Sequence, residues 1–550
     1  MFRLSVIIKL TLILFMASIA LKGYSQILEP KWETCLGGTE MDEGRGIIYS
    51  DGSYWIVAGT NSSDGDVSNN HGTYDIWFLN IDSTGMLISE KTFGGSNADG
   101  GFLDIKNMND SIFYITGITK SIDGDIGDNP WPGASGNIWI LQINDKGEIL
   151  WESVHGGSNI EWMRDMEVTN DGGMIALSLT TSDDGDISNH NGAWDLWMIK
   201  LDSSGEMQWE MSMGGAGSEE GASITQTEDS GYLITGNTDG YGGGNFDTTC
   251  NYHGYPGDWS DVWVIKLDSL RNIEWQQCYG GTFHDGSTNA LEIEDGYVIL
   301  GSTMSNDGDI IGFHGVPGNG EYGKDIWVFK IDKQGNLLWQ NCLGGLYNDF
   351  ARNIFSTTDG GFMVVGRTQS DNGDVEGFNG LEAGDWDDVW LAKLDSLGNL
   401  TWQYCYGGGG TEWIYRGVVQ KSDYNYVITL GTDTDEWQCT GEFAAMPDLR
   451  VVELYDTTVG ITENKTQNLS VEVFPNPASE RINFTYSLPA GNTSGKLSIF
   501  NSSGKLIRIF NLMAMQGQVV YNTSTLPNGV YFYTVVAEGE KETGKFVVVR

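Results

Sequence analysis

Apolar and polar positions alternate along this chain in short runs, each closed off by Gly, Asp, Asn or Ser. A period of two is the mark of half-buried strands. The runs recur in a fixed order. "YWIVAGT", "IFYITGIT", "MIALSLT", "YLITGNT", "YVILGST", "FMVVGRT" and "YVITLGT" occupy one place in it. "DIWFLNID", "NIWILQIN", "DLWMIKLD", "DVWVIKLD", "DIWVFKID", "DVWLAKLD" and "DLRVVELY" occupy another. An alternating stretch such as "ARNIFSTT" (351–358) comes before the first kind, and one ending in Trp and Gly-Gly, such as "LTWQYCYGG", follows the second. Gly-Gly pairs at 37, 94, 156, 214, 280, 344 and 407 mark the repeat. Each repeat thus predicts four strands, here called a, b, c and d. The c–d connection carries Gly85, Gly147, Gly205, Gly335 or Gly398, which suits a hairpin with one positive-φ residue.

There are seven a-b-c sets, but no d strand follows the seventh after residue 456. The missing word stands at the other end. "PKWETCLGG" (30–38) has the form of a d strand and precedes the first strand a. Pairing it with the last strand c closes a ring and removes the exposed edges of an open array. The expected fold is all-β: a seven-bladed β-propeller over residues 27–456, closed by an N-terminal outer strand. An open solenoid of the same hairpins is the alternative. The repeat, of the form "DGGY-I-V-G-T-S-x-DGD…D-W-x-x-K-L-D", resembles the Gly-rich propeller repeats of exported Bacteroidota proteins. It lacks the Gly-His signature of WD40 blades. The resemblance implies a fold and a compartment, not an activity.

Both ends read differently. Residues 1–25 carry Arg3 and Lys9, then the apolar run Leu10–Leu21, with Gly23 and Ser25 before the expected cut. This is the pattern of a secretory signal peptide, and the run is too short to span a bilayer. No later segment is long and apolar enough to span either, and no Cys follows the run to suggest a lipoprotein. Residues 457–470 are polar and read as a linker. Residues 471–550 alternate again and predict a small β-sandwich. Pro475-Asn476-Pro477, "IFNSSGKLI" (499–507), "LPNGVYFYTV" (526–535) and the terminal "GKFVVVR" stand in order. Together they resemble the type A C-terminal sorting domain of the type IX secretion system. That resemblance implies the secretion machinery as partner, export across the outer membrane, removal of this domain, and a final place on the cell surface or outside.

Composition changes this picture in two ways. The 76 glycines and 12% aromatics fit many strands joined by tight turns. The formal charge of −45 argues against nucleic acid and anionic membranes as partners, since both call for Lys/Arg patches. Export makes disulfides possible. Cys35, Cys278, Cys342 and Cys405 lie two residues before Gly-Gly, at equivalent places in different repeats, too far apart to bridge one another. Cys250 and Cys439 lie in b–c loops, which reach the same face as the end of strand d. Cys250–Cys278 and Cys35–Cys439 are the expected bridges, with six free thiols as the alternative.

The b–c loops (61–74, 119–136, 181–194, 239–260, 304–324, 369–387 and 432–447) are the longest and least alike, so candidate chemistry sits there. Trp131, Trp194, Tyr241, Tyr252, Tyr255, Trp259, Phe313, Phe378, Trp386 and Trp437 could stack on a sugar or a peptide, or could simply cover the ends of the sheets. Asp-Gly-Asp recurs at Asp64/Asp66, Asp123/Asp125, Asp184/Asp186 and Asp307/Asp309, with Asn372/Asp374 as a variant. Such pairs could offer oxygens to structural Ca²⁺, but they lack the full Ca²⁺-loop pattern, and Asx turns explain them as well. His71, His190, His253 and His314 come one to a loop, which is too few per site for Zn²⁺. Arg45, Arg164, Arg352 and Arg416 each follow Gly-Gly by about eight residues, on strand a near the expected channel. Such a cluster resembles the arginine clamp of sialidases, and "LDSLGNLTW" resembles their Asp box, although with one residue too many before Gly. No triad, phosphate loop or His-Glu-x-x-His motif is present. The expectation is therefore an exported binding protein for a glycan or a protein. The alternatives are a structural surface protein and a glycoside-active propeller.

Overall fold

The computed structural model describes residues 28–456 and 470–549, apart from 133, 241–249, 251, 255–258, 319–322, 381–383, 385, 423, 433–447, 489–493, 503–504, 513–515 and 538–539. The expected signal peptide and most of the expected linker lie outside them, as do Tyr241, Tyr255, Trp437 and Cys439. Every element among the described residues is a strand, and no helix is long and apolar enough to cross a membrane. The chain divides into two compact units, Met1–Thr457 and Thr458–Arg550.

The first unit holds seven antiparallel sheets of four strands among its described residues. Six follow chain order, a-b-c-d. In the seventh, Leu28–Leu36 pairs with Asp448–Asp456, from Leu28 opposite Asp456 to Leu36 opposite Leu449. The first strand of the chain thus completes the sheet formed by Glu412–Ser422, Asn425–Thr432 and Asp448–Asp456. No sheet closes on itself. The ring is closed by packing: strand a of each sheet meets strand a of the next, and Glu412–Ser422 meets Asp42–Ser50. This is consistent with a propeller.

Strands b and c are almost wholly buried, as runs apolar on both faces require. Trp77, Trp139, Trp197, Trp263, Trp327 and Trp390 of strand c lie fully buried between sheets. Each turns its indole N–H to a strand-d partner: Glu90, Glu152, Glu210, Gln276, Gln340 and Gln403, at 2.8–3.1 Å. A buried indole needs such a partner. In the seventh sheet Arg450 takes the Trp position, opposite Cys35 as Trp263 is opposite Cys278. Its guanidinium pairs with Glu33 at 2.6 Å, so the departure from the repeat keeps the carboxylate partner. The c–d turns carry positive φ at Gly85, Gly147, Gly205, Gly335 and Gly398, and at Arg271 where the glycine is missing.

The second unit has a three-stranded sheet (Ser470–Phe474, Arg481–Ser487, Gln516–Asn522) and a four-stranded one (Leu506–Leu512, Gly495–Phe500, Gly529–Ala537, Glu540–Val548). Ile482, Phe484, Ile499, Val535 and Phe546 share one core. Asn476 Oδ1 accepts the N–H of Val547 at 2.9 Å, and the Ala478 N–H donates to Val547 O at 2.8 Å. The Pro-Asn-Pro segment is thereby pinned to the terminal strand.

Candidate functional site

Each Gly-Gly turn is built around a buried acid five residues after its first glycine: Asp42, Asp99, Glu161, Glu219, Asp285, Asp349 and Glu412. The sequence carries this signal in all seven repeats. Asp99 is representative. It accepts the Gly95 N–H, the Thr119 hydroxyl and the Ser121 hydroxyl, each at 2.6 Å. Its own N–H donates to Tyr74 O, in the preceding sheet, at 2.5 Å. The Asp that opens strand c crowds the same turn. Asp261 and Asp285 both approach Gly280, and Asp325 and Asp349 both approach Gly344. Burial, reinforced by the neighbouring carboxylate, raises Asp285 to about 7 and Asp349 to about 8. Burial also raises Glu219 to about 7 and Glu412 to about 8. The second sheet has Asn137 in place of the strand-c Asp. With its amide nitrogen turned toward Glu161, it donates to Glu161 Oε2 at 3.2 Å.

The Asp-Gly-Asp pairs belong to these turns. Asp64, Asp123, Asp184 and Asp307 each accept the N–H two residues beyond the first glycine, at 2.7–2.8 Å, and Asn372 does the same at 2.9 Å. Asp66, Asp125, Asp186, Asp309 and Asp374 accept the first glycine's N–H at 3.1–3.4 Å and return their own N–H to its carbonyl. The glycine between the acids is obligatory. At Gly185, φ is +73° and a Cβ would lie 2.3 Å from Gly156 O. These are Asx-type clasps between sheets. Among the described residues no group of three or more His, Cys, Asp or Glu could hold a metal ion. His71, His253 and His314 face the strand-c acids Asp75, Asp261 and Asp325 at 3.2, 3.3 and 2.8 Å.

Cys250 and Cys278 are joined by a disulfide, with Cα atoms 5.0 Å apart. Cys35 is disulfide-bonded; its expected partner Cys439 lies outside the described residues. Cys342 and Cys405 are free and buried.

The seven strands a surround a cavity of about 660 Å³. Each of them carries an irregularity at the same level, where one or more residues stand outside the ladder. Arg45, Arg164 and Arg352 are the extra residues of single-residue bulges, and Arg416 lies within a longer one. A bulge frees a side chain from the in-out alternation of its strand. The arginines then diverge. Arg416 crosses to three other sheets, bonding Asp104 at 3.3 Å, Ala222 O at 3.0 Å, and Asp165. Burial opposes its charge, but Asp165 and Asp104 outweigh that and raise its pKa. Arg45 pairs with Glu43 and lies 3.9 Å from the centre of the Tyr415 ring.

Arg164 and Arg352 have no ion-pair partner among the described residues. Arg164 lies 5.0 Å from the Phe102 ring and 5.8 Å from the Trp162 ring. Trp162 in turn stacks on Trp194 at 5.2 Å, the one predicted loop aromatic placed beside a predicted arginine. Arg352 lies over Phe350 at 5.8 Å. Burial, with Arg367 next in effect, pulls Arg352 down to about 10. Arg367 is answered by Asp387 at 2.8 Å, and Lys324 also faces Phe350. Phe102, Trp162 and Phe350 were not foreseen, although "WMR" and "FAR" place an aromatic two residues before each arginine.

The other loop aromatics are spread out. Trp131 lies on the turn at Gly185. Tyr252 donates its hydroxyl to Trp259 O, and Trp259 meets Phe283 edge-on at 6.0 Å. Phe313 packs against the core between the fourth and fifth sheets. Phe378 and Trp386 are half-buried in one loop. Among the described residues, the sequence-predicted aromatics therefore do not gather into one groove.

Comparison with known proteins bears on the second unit above all. Residues 472–549 match the family described as secretion system C-terminal sorting domain. Such a tail implies type IX secretion across the outer membrane, to the cell surface or outside. None of the curated proteins compared matches the chain. Solved structures give distant likenesses. A puromycin-hydrolyzing peptidase of Mycobacterium tuberculosis is 9% identical, with TM-score 0.40; the match covers 86% of this chain and 64% of that one. An ulvan lyase of polysaccharide lyase family PL25 is 9% identical, with TM-score 0.45, over 78% and 96% of the two chains. The BBS1 N-terminal domain crystallised with ARL6 is 10% identical, with TM-score 0.37, over 79% and 98%. Likenesses this distant carry no argument about function.

Proposed function

We propose that residues 27–456 form a seven-bladed β-propeller, closed by their first strand, that binds a glycan or a protein outside the cell. The b–c loops and the mouth of the central channel form the binding face. In this reading the chain starts with a signal peptide (1–25), and a linker (457–470) leads to a β-sandwich sorting domain (471–550). The observation that carries the reading is a pair of arginines on strand-a bulges. Arg164 and Arg352, without ion-pair partners among the described residues, stand beside aromatic rings. Rigid strands with an adaptable rim suit recognition. The commitment of Arg416 to three other blades leaves the sialidase-like alternative without one arm of its clamp.

A purely structural surface role is the second reading. The Asp-Gly-Asp clasps and Trp131 favour it, since they join blades and leave little for a ligand. The deciding experiment is binding of the purified full chain to a broad glycan array, with Ca²⁺ and with EDTA. Binding in either condition supports the first reading, and loss with EDTA adds a Ca²⁺ site. No binding on the array, together with no protein captured at a cell surface, leaves the structural role.

A further inference from the structure

We propose that the channel mouth beside Arg164 is a subsite for an acidic sugar, with the carboxylate or sulfate on the guanidinium and the sugar ring on Phe102 and Trp162. The proposal rests on the binding reading above and deepens it.

Arg164 is the extra residue of a bulge between Met163 and Asp165, so its strand does not fix its direction by pairing. Its guanidinium carbon lies 5.0 and 5.8 Å from the centres of two rings, and guanidinium N–H groups suit the oxygens of a carboxylate or a sulfate. Its Nε is buried and has no hydrogen-bond partner among the described residues. A buried donor left unmet is costly, and the Nε atoms of Arg45, Arg352 and Arg367 share that state, so a ligand would meet the terminal nitrogens of Arg164. Burial and then Arg416 oppose its charge, Glu220 supports it, and no ion pair joins Arg164 to Glu220 among the described residues.

The rings around it form a continuous surface. Phe102 and Trp162 have centroids 5.8 Å apart at 35°, and Trp162 and Trp194 5.2 Å apart at 30°. Phe102 is 41% exposed, and its φ of +36° is one that a bulky side chain rarely adopts. A large ring held at the surface in a costly backbone conformation is a common feature of ligand sites. Flat rings suit the C–H face of a sugar, and the guanidinium at their edge suits its charged substituent. Arg352, over Phe350 at the same bulge of its own strand, offers a second such point to a longer chain. The net charge of −45 repels a polyanion at long range. Recognition must therefore come from contacts within a Debye length, about 8 Å at physiological salt.

The test uses the full chain and isothermal titration at physiological salt. The probes are hexagalacturonate, its methyl-esterified neutral form, a sulfated galactan oligosaccharide and its desulfated form, and poly-glutamate. The variants are Arg164→Gln, Phe102→Ala and, as a control on an outer turn, Arg271→Gln. At least one charged saccharide is expected to bind, with its neutral form about tenfold weaker or worse. Arg164→Gln is expected to weaken that binding by about tenfold or more, Phe102→Ala by severalfold, and Arg271→Gln not at all. The uronate and sulfate arms tell which oxyanion is taken. Equal binding of charged and neutral forms, equal binding by Arg164→Gln, or equal binding of poly-glutamate overturns the proposal while leaving a binding propeller in place. If Arg164→Gln does not fold, unchanged binding by Phe102→Ala overturns it instead. No binding to any saccharide, neutral or charged, overturns the subsite and the glycan arm of the binding reading, and leaves its protein arm to the capture experiment.

Discussion

The seventh sheet offers a sharp test of how the ring is held. Arg450 is 1% exposed, and its carboxylate partner, Glu33, lies on the strand that closes the sheet. Tyr406 also donates to Glu33, at 3.0 Å. Glu33→Ala would leave a buried guanidinium without this carboxylate, and breaking such a pair costs about 3 kcal/mol. A unit of about 430 residues has an unfolding entropy near 0.9 kcal/mol/K, at about 2.1 cal/mol/K per residue, so the melting point should fall by about 3 °C. The remedy is already present in the other sheets. Glu33→Gln with Arg450→Trp recreates the Trp–Gln pair that Trp263, Trp327 and Trp390 make with Gln276, Gln340 and Gln403. Differential scanning calorimetry of the full chain should show Glu33→Ala lowered and the double variant restored to within about 1 °C of the parent. If Glu33→Ala melts with the parent, the ion pair does not hold the closure. If the double variant melts as low as Glu33→Ala, Arg450 is not the equivalent of the repeat tryptophan.

Three further outcomes follow from the geometry. Arg416→Met leaves Asp104 and Asp165, on neighbouring sheets, without their shared guanidinium and should cost about 3 kcal/mol, read by urea denaturation; an unchanged midpoint refutes the strut. Gly185→Ala, at φ +73° and against Gly156 O, should lower the melting point by a few degrees, whereas Gly52→Ala, with open space around it, should lower it less. The buried acids set a pH dependence: Glu219, Asp285, Asp349 and Glu412 hold protons up to about 7 or 8, while unfolded carboxyls release them near 4. Folding therefore takes up protons in this window, and stability is lost as pH rises from about 5 to 8. His253 and His314, raised by the Asp261 and Asp325 carboxylates, act in the same direction, and His284, pushed down by burial to about 4, acts against them. Melting should be higher at pH 5.5 than at pH 8.5, with the difference reduced in Asp349→Asn; a flat or rising profile refutes it.

The strands were legible because each repeat writes its burial pattern in the same words. Seven copies of Gly-Gly and six of Asp/Asn-x-Trp fix where the chain turns and what faces the core. The displaced "WETCLGG" was legible because only one strand c lacked a neighbour. The site was less so. Whether an arginine of strand a points along the sheet or into the cavity depends on a bulge, and a bulge is a property of register between two strands. The partners of Arg416 lie 194 to 312 residues away in sequence. The Asp-Gly-Asp pairs left the turn and the cation readings both open, because the backbone N–H groups they satisfy belong to a turn some 25 to 31 residues earlier.

Pairing Leu28 with Asp456 also sets an order of events. Six sheets can form from consecutive segments, each as soon as its fourth strand is available. The seventh cannot, because its outer strand leads the chain and its inner three come last. Until residue 456 has arrived, Leu28–Leu36 is an unpaired apolar-edged strand and the partial ring has two open sides, a state prone to pairing with other chains. The segment that completes the ring precedes the sorting tail, which matches over residues 472–549. A chain cut short anywhere in the seventh repeat would lose its export signal and its last sheet together, so a protein that carries the tail also carries every strand the ring requires.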